Sequence, residues 1–531
     1  MTGKNWISLL LLGLVIACNT QPGQDGRQAG SEQPNIILFL VDDLGWQDTS
    51  VPFHKEQTPF NEFYQTPNME RLAGQGMLFT NAYSASPVCT PTRSSIITGK
   101  NPARTNITDW TLHNDPERME RTGQDYPVKS PDWAVEGVQP DSMLLTEVLK
   151  AQGYRTIHVG KAHFGALRTP GADPTNLGFD VNIAGHAAGA PGSYWPEDNY
   201  GNEEPGSAWA VPRMEDYYDS EANLTEALTI EANKAIDNAV EANKPFYMNM
   251  AHYTVHAPIM ADRRYYEDYL EAGVDSVEAK YASMVEGMDS SLGSIWQNLK
   301  EEDIAENTII LFMSDNGGLS AHTRGTTPMG TGLNTHNKPL RSGKGSAYEG
   351  GIRVPMIAAW AERAEDHPLQ SRFEIQPGSR NETPIISEDF YPAILELAGL
   401  DSGSAAFQST DGRSFIPLLR SGKAPGTGED RALAWHYPHK WGPSGPGYEP
   451  FTAIRDGQWK LIYFYKDQEW ELYNLEEDIG EANNLIEEEK KVAMQLAEQM
   501  RAWMQEVGAQ TPVSRETGDQ VALPKISREM R

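Results

Sequence analysis

Residues 35–43 read NIILFLVDD, six uninterrupted apolar residues from Ile36 to Val41 followed by two aspartates. A run this short, aliphatic at both alternating sets of positions, is the pattern of a strand covered on both faces. Three more stretches repeat the form. YRTIHVGKAHFG (154–165) leads from Thr156–Val159 into Lys161 and His163; KPFYMNMAHYTVHAPI (244–259) leads from Phe246–Met250 into His252 and His256; NTIILFMSDNGG (307–318) leads from Ile309–Met313 into Asp315 and Asn316. Between them lie helical patterns such as DSMLLTEVLKAQG (141–153) and SEANLTEALTIEANKAIDNAVEAN (220–243). Strand and helix alternate, so the fold is α/β with a mainly parallel sheet.

In open α/β sheets, sites form outside the carboxyl ends of the strands. That rule gathers Asp42, Asp43, Lys161, His163, His256, Asp315 and Asn316 from distant parts of the chain to one edge. Each alone has an ordinary reading as a helix cap, a turn or a core histidine. Together, three carboxylates and a carboxamide oxygen form a hard ligand set for Ca²⁺ or Mg²⁺, whereas zinc prefers nitrogen or sulfur. Lysine and histidine beside such a cluster suit an anionic tetrahedral group, with cations on its oxygens and imidazoles moving protons.

The chain of 531 residues carries a net charge of −30, which argues against nucleic acid and against an anionic membrane surface as the main partner. An anionic substrate would therefore be recognised by a local cationic pocket. Only two cysteines occur, which excludes a zinc site of several thiolates. Cys18 closes MTGKNWISLLLLGLVIAC, with Lys4 as a basic start and an apolar run from Ile7 to Ala17 too short to span a bilayer comfortably. This is an export signal. VIAC resembles the lipobox of bacterial lipoproteins, in which the cysteine becomes the lipid-bearing first residue; an ordinary signal peptide is the alternative. The expectation is a lipoprotein signal peptide at residues 1–17 and a flexible tether at 18–33, with the protein exported to the periplasm or cell surface and held to the membrane by a lipid on Cys18. Lipidation of Cys18 leaves Cys89 without a disulfide partner, and the plain reading of a lone cysteine is a buried inert thiol.

The remaining length exceeds one typical core. Residues 34–425 read as a catalytic domain. Residues 426–531 change style and read as a smaller C-terminal α+β domain, with short strands in TAIRDGQWKLIYFY and a last helix placing Val492, Leu496, Met500, Trp503 and Val507 on one face.

Cys89 opens CTPTRSSIITG (89–99), which fits the CxPxR signature followed by four residues and TG. With NIILFLVDDLGW, TPNMERLAGQGMLFTNAYS, GKAHFG, SDNGG, KPLRSGKGSAYEGGIRVP, DGRSFIPLL, WKLIYF and ELYNLEED, the chain from Asn35 to about Leu485 resembles the type I, formylglycine-dependent sulfatases, of which bacterial polysaccharide sulfatases are members. The resemblance implies an alkaline-phosphatase-like fold. It implies that a separate maturation enzyme oxidises Cys89 to formylglycine before the chain folds, within a sequence including Pro91 and Arg93. Asp42, Asp43, Asp315, Asn316 and residue 89 would hold Ca²⁺, with Mg²⁺ the second choice. Arg93 would steady the hydrated aldehyde, Lys161 and Lys344 would contact sulfate, His163 would take a proton from the aldehyde hydrate, and His256 would protonate the leaving alkoxide. Where many relatives carry GKWHLG, this chain has Ala162 and Phe164.

Three aromatic-rich loops are candidates for the substrate rim, contributing Trp110, His113, Tyr194, Trp195, His436, His439 and Trp441. Trp110, Trp195 and His439 are the leading choices. The implied substrate is a sulfated polysaccharide or oligosaccharide: ulvan, an algal galactan or a glycosaminoglycan. Two alternatives remain, a phosphodiesterase or phosphonate hydrolase of the same fold and a surface glycan-binding protein that has lost catalysis.

Overall fold

The computed structural model describes residues 33–202, 206–320, 324, 334–421, 431–442 and 445–522. The expected export signal, the lipobox-like stretch and all of the expected tether before Gln33 lie outside the described residues, as does the expected boundary after residue 425.

Among the described residues the main sheet has eight strands: β1 (Asn35–Val41), β2 (Met77–Phe79), β3 (Arg155–Gly160), β4 (Val181–Ile183), β5 (Phe246–Ala251), β6 (Thr308–Ser314), β7 (Met356–Trp360) and β8 (Ser379–Asn381). Their order across the sheet is β8-β2-β7-β6-β1-β5-β3-β4. β1 pairs in parallel with β6 on one side and β5 on the other, and β3 pairs in parallel with β5. Thus the four runs read as strands are four consecutive neighbours in the sheet. β7 alone runs antiparallel to the rest.

Alternate residues of β1 enter two separate cores. Ile37, Phe39 and Val41 face α2 (Leu224–Glu241) and α3 (Ser276–Glu301), whereas Ile36, Leu38 and Leu40 face α1 (Cys89–Thr98) and α4 (Phe390–Leu397). None of these six side chains is more than 1% exposed, and burying each contributes about 1.5–3 kcal/mol. The long helices start where the sequence supplies caps: Asn223 accepts from the Thr225 amide and Asp275 from the Val277 amide, both at 2.9 Å.

A second, antiparallel sheet runs β9 (Leu433–Tyr437), β10 (Phe451–Asp456), β11 (Trp459–Phe464) and β12 (Glu469–Asn474) in sequence order. The hairpin in TAIRDGQWKLIYFY turns with Gly457 at φ 57°, a backbone state suited to glycine. One face packs on α5 (Lys490–Val507) through Leu496 and Met500, with Val492 and Trp503 half-buried beside them. The other face carries Trp435, Phe451 and Ile462 onto Tyr83, Ala85 and Val88. The second sheet therefore supports the segment that delivers Cys89. Both sheets lie within one compact unit, Glu32–Arg531.

Candidate active site

Cys89 is the first residue of α1, and Pro91 sits in its opening turn, where the missing amide hydrogen costs no helical bond. Gly99 ends the helix at φ 67°, its amide donating to Ser95 at 2.8 Å. A β-carbon at this position would lie 2.7 Å from the Tyr391 ring. The helix is pinned from its middle by Arg93, which is 1% exposed. Its Nε donates to Asp315 Oδ2 at 2.8 Å, its Nη1 donates to the Lys161 carbonyl at 2.7 Å, and its Nη2 reaches 4.0 Å from Asp42 Oδ1.

Around the Cys89 sulfur the carboxyl ends of the central strands converge. Sγ lies 3.8 Å from Asp42 Oδ1 and 3.5 Å from Lys344 Nζ. Lys161 Nζ donates to Asp42 Oδ2 at 2.6 Å, and Lys344 Nζ lies 2.6 Å from Asp43 Oδ1. Asp315 Oδ1 accepts from the Asp43 amide at 3.2 Å, while Asn316 Nδ2 donates to Asp43 Oδ1 at 2.7 Å. His256 Nδ1 donates to the Ala257 carbonyl at 2.7 Å, which turns Nε2 toward Asp43 Oδ2, 3.6 Å away. His163 Nε2 donates to the Thr111 carbonyl at 2.8 Å, leaving Nδ1 buried with no hydrogen-bond partner. The structure thus brings together Asp42, Asp43, Cys89, Arg93, Lys161, His163, His256, Asp315, Asn316 and Lys344.

Asp43 and His163 adopt φ 61° and φ 51°, left-handed conformations that non-glycine residues hold only where the surroundings impose them. The Asp43 amide is fixed by Asp315, and the His163 amide donates to the His186 carbonyl at 3.1 Å. Ala162 and Phe164, the departures from the common motif, pack away from this edge. Phe164 stacks on Phe179 with centroids 6.2 Å apart.

Burial sets the proton affinities. It pushes the Cys89 thiol up to about 11 despite Lys161 and Lys344, so at neutral pH the sulfur is protonated and a poor nucleophile. Burial likewise holds Asp42 well above the usual carboxylate range, with Asp315 and Asp43 adding repulsion. It also raises Asp43, but Lys344, His256 and Lys161 outweigh it and leave that carboxyl low. Burial, aided by Lys344, pushes His256 down to about 3, and burial with Lys161 and Arg93 holds His163 well below its usual value. Both imidazoles are neutral at pH 7.

The donor set fits a hard divalent cation. Ligand atoms of Asp42, Asp43, Cys89 and His256 lie within 4.8 Å of one another, and Asp315 and Asn316 adjoin them through Asp43. Asn316 Oδ1 is buried with no hydrogen-bond partner, the state of an acceptor oxygen that a cation would satisfy.

The rim residues fare differently. Trp195 is 7% exposed, with the Arg263 guanidinium 3.9 Å from its ring centre, and it belongs to the core. His439 is 2% exposed, with Nε2 2.8 Å from Thr108 Oγ1 and Nδ1 3.0 Å from Ser130 Oγ, because the end of β9 turns it inward. Trp110 is half-buried against Trp133 and Val135, with Arg121 5.1 Å above its ring. Tyr194 and His436 are buried; the Tyr194 hydroxyl lies 2.6 Å from the Tyr253 carbonyl and 2.9 Å from that of His256. His113 lies near Arg118, at 3.1 Å. Trp441 also approaches the site, its ring 5.6 Å from Lys344 Nζ and packed on Gly345, where a β-carbon would lie 1.6 Å from the indole. Sequence reasoning missed the Thr111 carbonyl, for which a backbone acceptor leaves no signal, and Gly189, where a β-carbon would lie 2.3 Å from the His163 ring.

The sulfatase family model matches residues 34–400, and a model for the C-terminal part of N-sulphoglucosamine sulphohydrolase matches residues 343–510. A sulfatase of Formosa agariphila is 29% identical over 98% of both chains. The N-acetylgalactosamine-6-sulfatase of Mus musculus is 31% identical over 74% of this chain and 68% of its own. Among solved structures, Ps i-CgsB in complex with k-i-k-neocarrahexaose is 26% identical with a TM-score of 0.68, covering 89% of this chain and 93% of that one. The mainly parallel sheet ending in this cluster is the alkaline-phosphatase-like arrangement of such enzymes. The chain belongs to the sulfatase family, enzymes that hydrolyse sulfuric esters.

Proposed function

We propose that this sulfatase removes sulfate from a sugar of a sulfated glycan, with residue 89 carried as formylglycine and a divalent cation, Ca²⁺ rather than Mg²⁺, held by Asp42, Asp43, Asp315, Asn316 and residue 89. The observation that carries the reading is the setting of Cys89: three buried cations, Arg93, Lys161 and Lys344, surround a thiol that burial keeps protonated. Such a pocket attracts an anion but leaves sulfur unable to attack it, which conversion to an aldehyde resolves. The names of the relatives support a glycan, since one acts on N-acetylgalactosamine 6-sulfate and another was solved with a neocarrahexaose.

As a hydrated aldehyde, residue 89 would offer the hydroxyl nucleophile, and a cation held by Asp42, Asp43, Asp315 and Asn316 would supply electrostatic stabilisation of sulfuryl charge. Lys161 and Lys344 hold the remaining oxygens and orient sulfur toward residue 89. Arg93 anchors α1 and turns Nη2 toward the nucleophile. His256, with Nδ1 fixed on the Ala257 carbonyl, handles protons at Nε2. A sulfate seated between the lysines neutralises the charges that depress its proton affinity, so Nε2 takes up the proton it delivers to the leaving sugar oxygen. His163, with Nε2 fixed on the Thr111 carbonyl, offers Nδ1 to remove a proton from the residue 89 hydroxyl when sulfate is released.

The proposal includes maturation of Cys89 by a separate enzyme and export as a lipoprotein anchored through Cys18. A phosphonate monoester hydrolase of Agrobacterium radiobacter shares the fold, with a TM-score of 0.56 and 18% identity. Hence the deciding experiment compares sulfate with phosphate release from aryl esters, alongside peptide mass spectrometry of residue 89. Aldehyde at 89 with faster sulfate release is expected; full activity from unmodified thiol, or preference for phosphate, overturns the reading.

A further inference from the structure

A cavity of about 700 Å³, open to solvent, borders the segments that follow Gly189 and His256. On one side its wall starts at Ala190, next to the Gly189 that packs on the His163 ring; on the other it is Ala257 and Pro258, which follow His256. The cavity therefore lies against the backbone that directly follows His256. Its size is that of a ligand site, for which about 300–1,000 Å³ is usual.

What lines it is unlike the sulfate pocket. Gly192 and Gly201 approach so closely that a β-carbon on Gly201 would lie 2.5 Å from Gly192 Cα, so backbone alone forms that wall. The Gly192 amide donates at 2.7 Å to the Trp209 carbonyl and fixes the indole's place on the lining. Trp209 is 39% exposed, in contrast to the buried Trp195. Asp198 is the single charged side chain lining the cavity among the described residues; it accepts from Ser193 Oγ at 2.6 Å, and no cation lies within ion-pair distance of it among those residues. The nearby Arg263 is committed to Glu197 at 2.6 Å and to the Trp195 ring. Cations thus surround Cys89, whereas one uncompensated carboxylate lines this cavity.

We propose that this cavity seats the sugar ring bearing the sulfate ester, with Trp209 stacked on its apolar face and Asp198 accepting from its hydroxyls, and that it selects a ring without a carboxylate. The proposal rests on the sulfatase reading above and names the substrate within it: a neutral hexose or N-acetylhexosamine, not a sulfated uronic acid. An exposed indole offers a flat apolar surface to the C–H face of a pyranose at little ordering cost. Asp198 rewards hydroxyl donors and repels a carboxylate at the same place, so one residue gives both attraction and rejection.

The test measures kcat/KM on 4-nitrophenyl sulfate, on the monosulfates of galactose and N-acetylgalactosamine at each hydroxyl, and on 2-sulfated glucuronic and iduronic acids. The native enzyme should cleave at least one neutral sugar sulfate and disfavour the uronates. Trp209→Ala should lose tenfold or more on that neutral sugar and less than twofold on the aryl ester, with Trp209→Phe recovering most of the loss. Asp198→Asn should improve the uronate-to-neutral ratio at least tenfold. Equal losses of Trp209→Ala on sugar and aryl esters, uronates preferred by the native enzyme, no gain in Asp198→Asn, or aryl cleavage with no neutral sugar cleaved would each overturn the inference and leave the sulfatase reading standing. No sulfate release from any ester would instead overturn the underlying reading.

Discussion

At His256 the argument is about one proton. A sugar alkoxide needs protonation to leave and an aryl oxide does not, so His256→Ala should cost about 10²–10⁴-fold in kcat on a sulfated sugar but under tenfold on 4-nitrophenyl sulfate. Equal losses would assign the side chain to binding. A second residue gives a pH effect far from the chemistry. Glu388 is 6% exposed, its Oε2 has no hydrogen-bond partner, and burial with the adjoining Asp389 pushes its carboxyl up to about 7. A raised acid contributes its full stability below its unfolded value near 4.5 and loses it as pH rises toward 7. Glu388→Gln should therefore stabilise the protein at pH 8 by about 3 kcal/mol and change little at pH 4, as denaturant melts at the two values would show. Asp42, Asp43, Lys161, His163, His256, Asp315 and Asn316 were legible in the sequence because each follows an apolar run, where sheet geometry dictates convergence, whereas Cys89, Arg93 and Lys344 were legible only through the family motifs that hold them. His439 and Trp195 were not: an aromatic in a loop has the same letters whether it faces solvent or core, and only the path of β9 and the position of Arg263 decide.

Among the elements, α1 shows how a short motif is also a mechanical part. Arg93 ties its middle to Asp315, and Gly99 closes it in a left-handed state against Tyr391. Gly99→Ala meets both a backbone penalty and a clash, and should destabilise the protein by more than about 1 kcal/mol, with lower activity because Cys89 rides on the same helix. A melting temperature unchanged from the native one would show that the turn adapts. The central strands were legible through their unbroken apolar runs. β2, β7 and β8 were harder, since strands as short as Met77–Phe79 carry too few residues for a period, and the reversal of β7 is a property of topology.

Across the molecule, a buried ionic knot ties the second sheet to the segment just ahead of the Cys89 helix. Lys460, fully buried on β11, lies 2.9 Å from both Glu349 and Glu481, while Tyr83 donates to Glu349 at 2.7 Å from just ahead of the Cys89 helix. Removing the cation leaves two carboxylates facing each other without water, so Lys460→Met should cost about 3–5 kcal/mol in urea unfolding. A smaller loss would mean that Arg353 and Arg455 already balance Glu349. The two-part build was legible in the change of sequence style; the knot was not, because Tyr83 and Glu349 lie more than a hundred residues before Lys460.

The same spread along the chain turns the pocket into a clock. Cys89 emerges early, but it is enclosed only when Asp315, Lys344 and finally Trp441 have joined it, and about 350 residues separate Cys89 from Trp441. At the usual 5–20 residues per second, synthesis leaves about 20–70 s in which the CTPTR stretch stays an unsealed peptide. The maturation enzyme proposed for residue 89 would therefore work against elongation, and on that proposal slowing or hastening translation between these points would change how much of the protein becomes active.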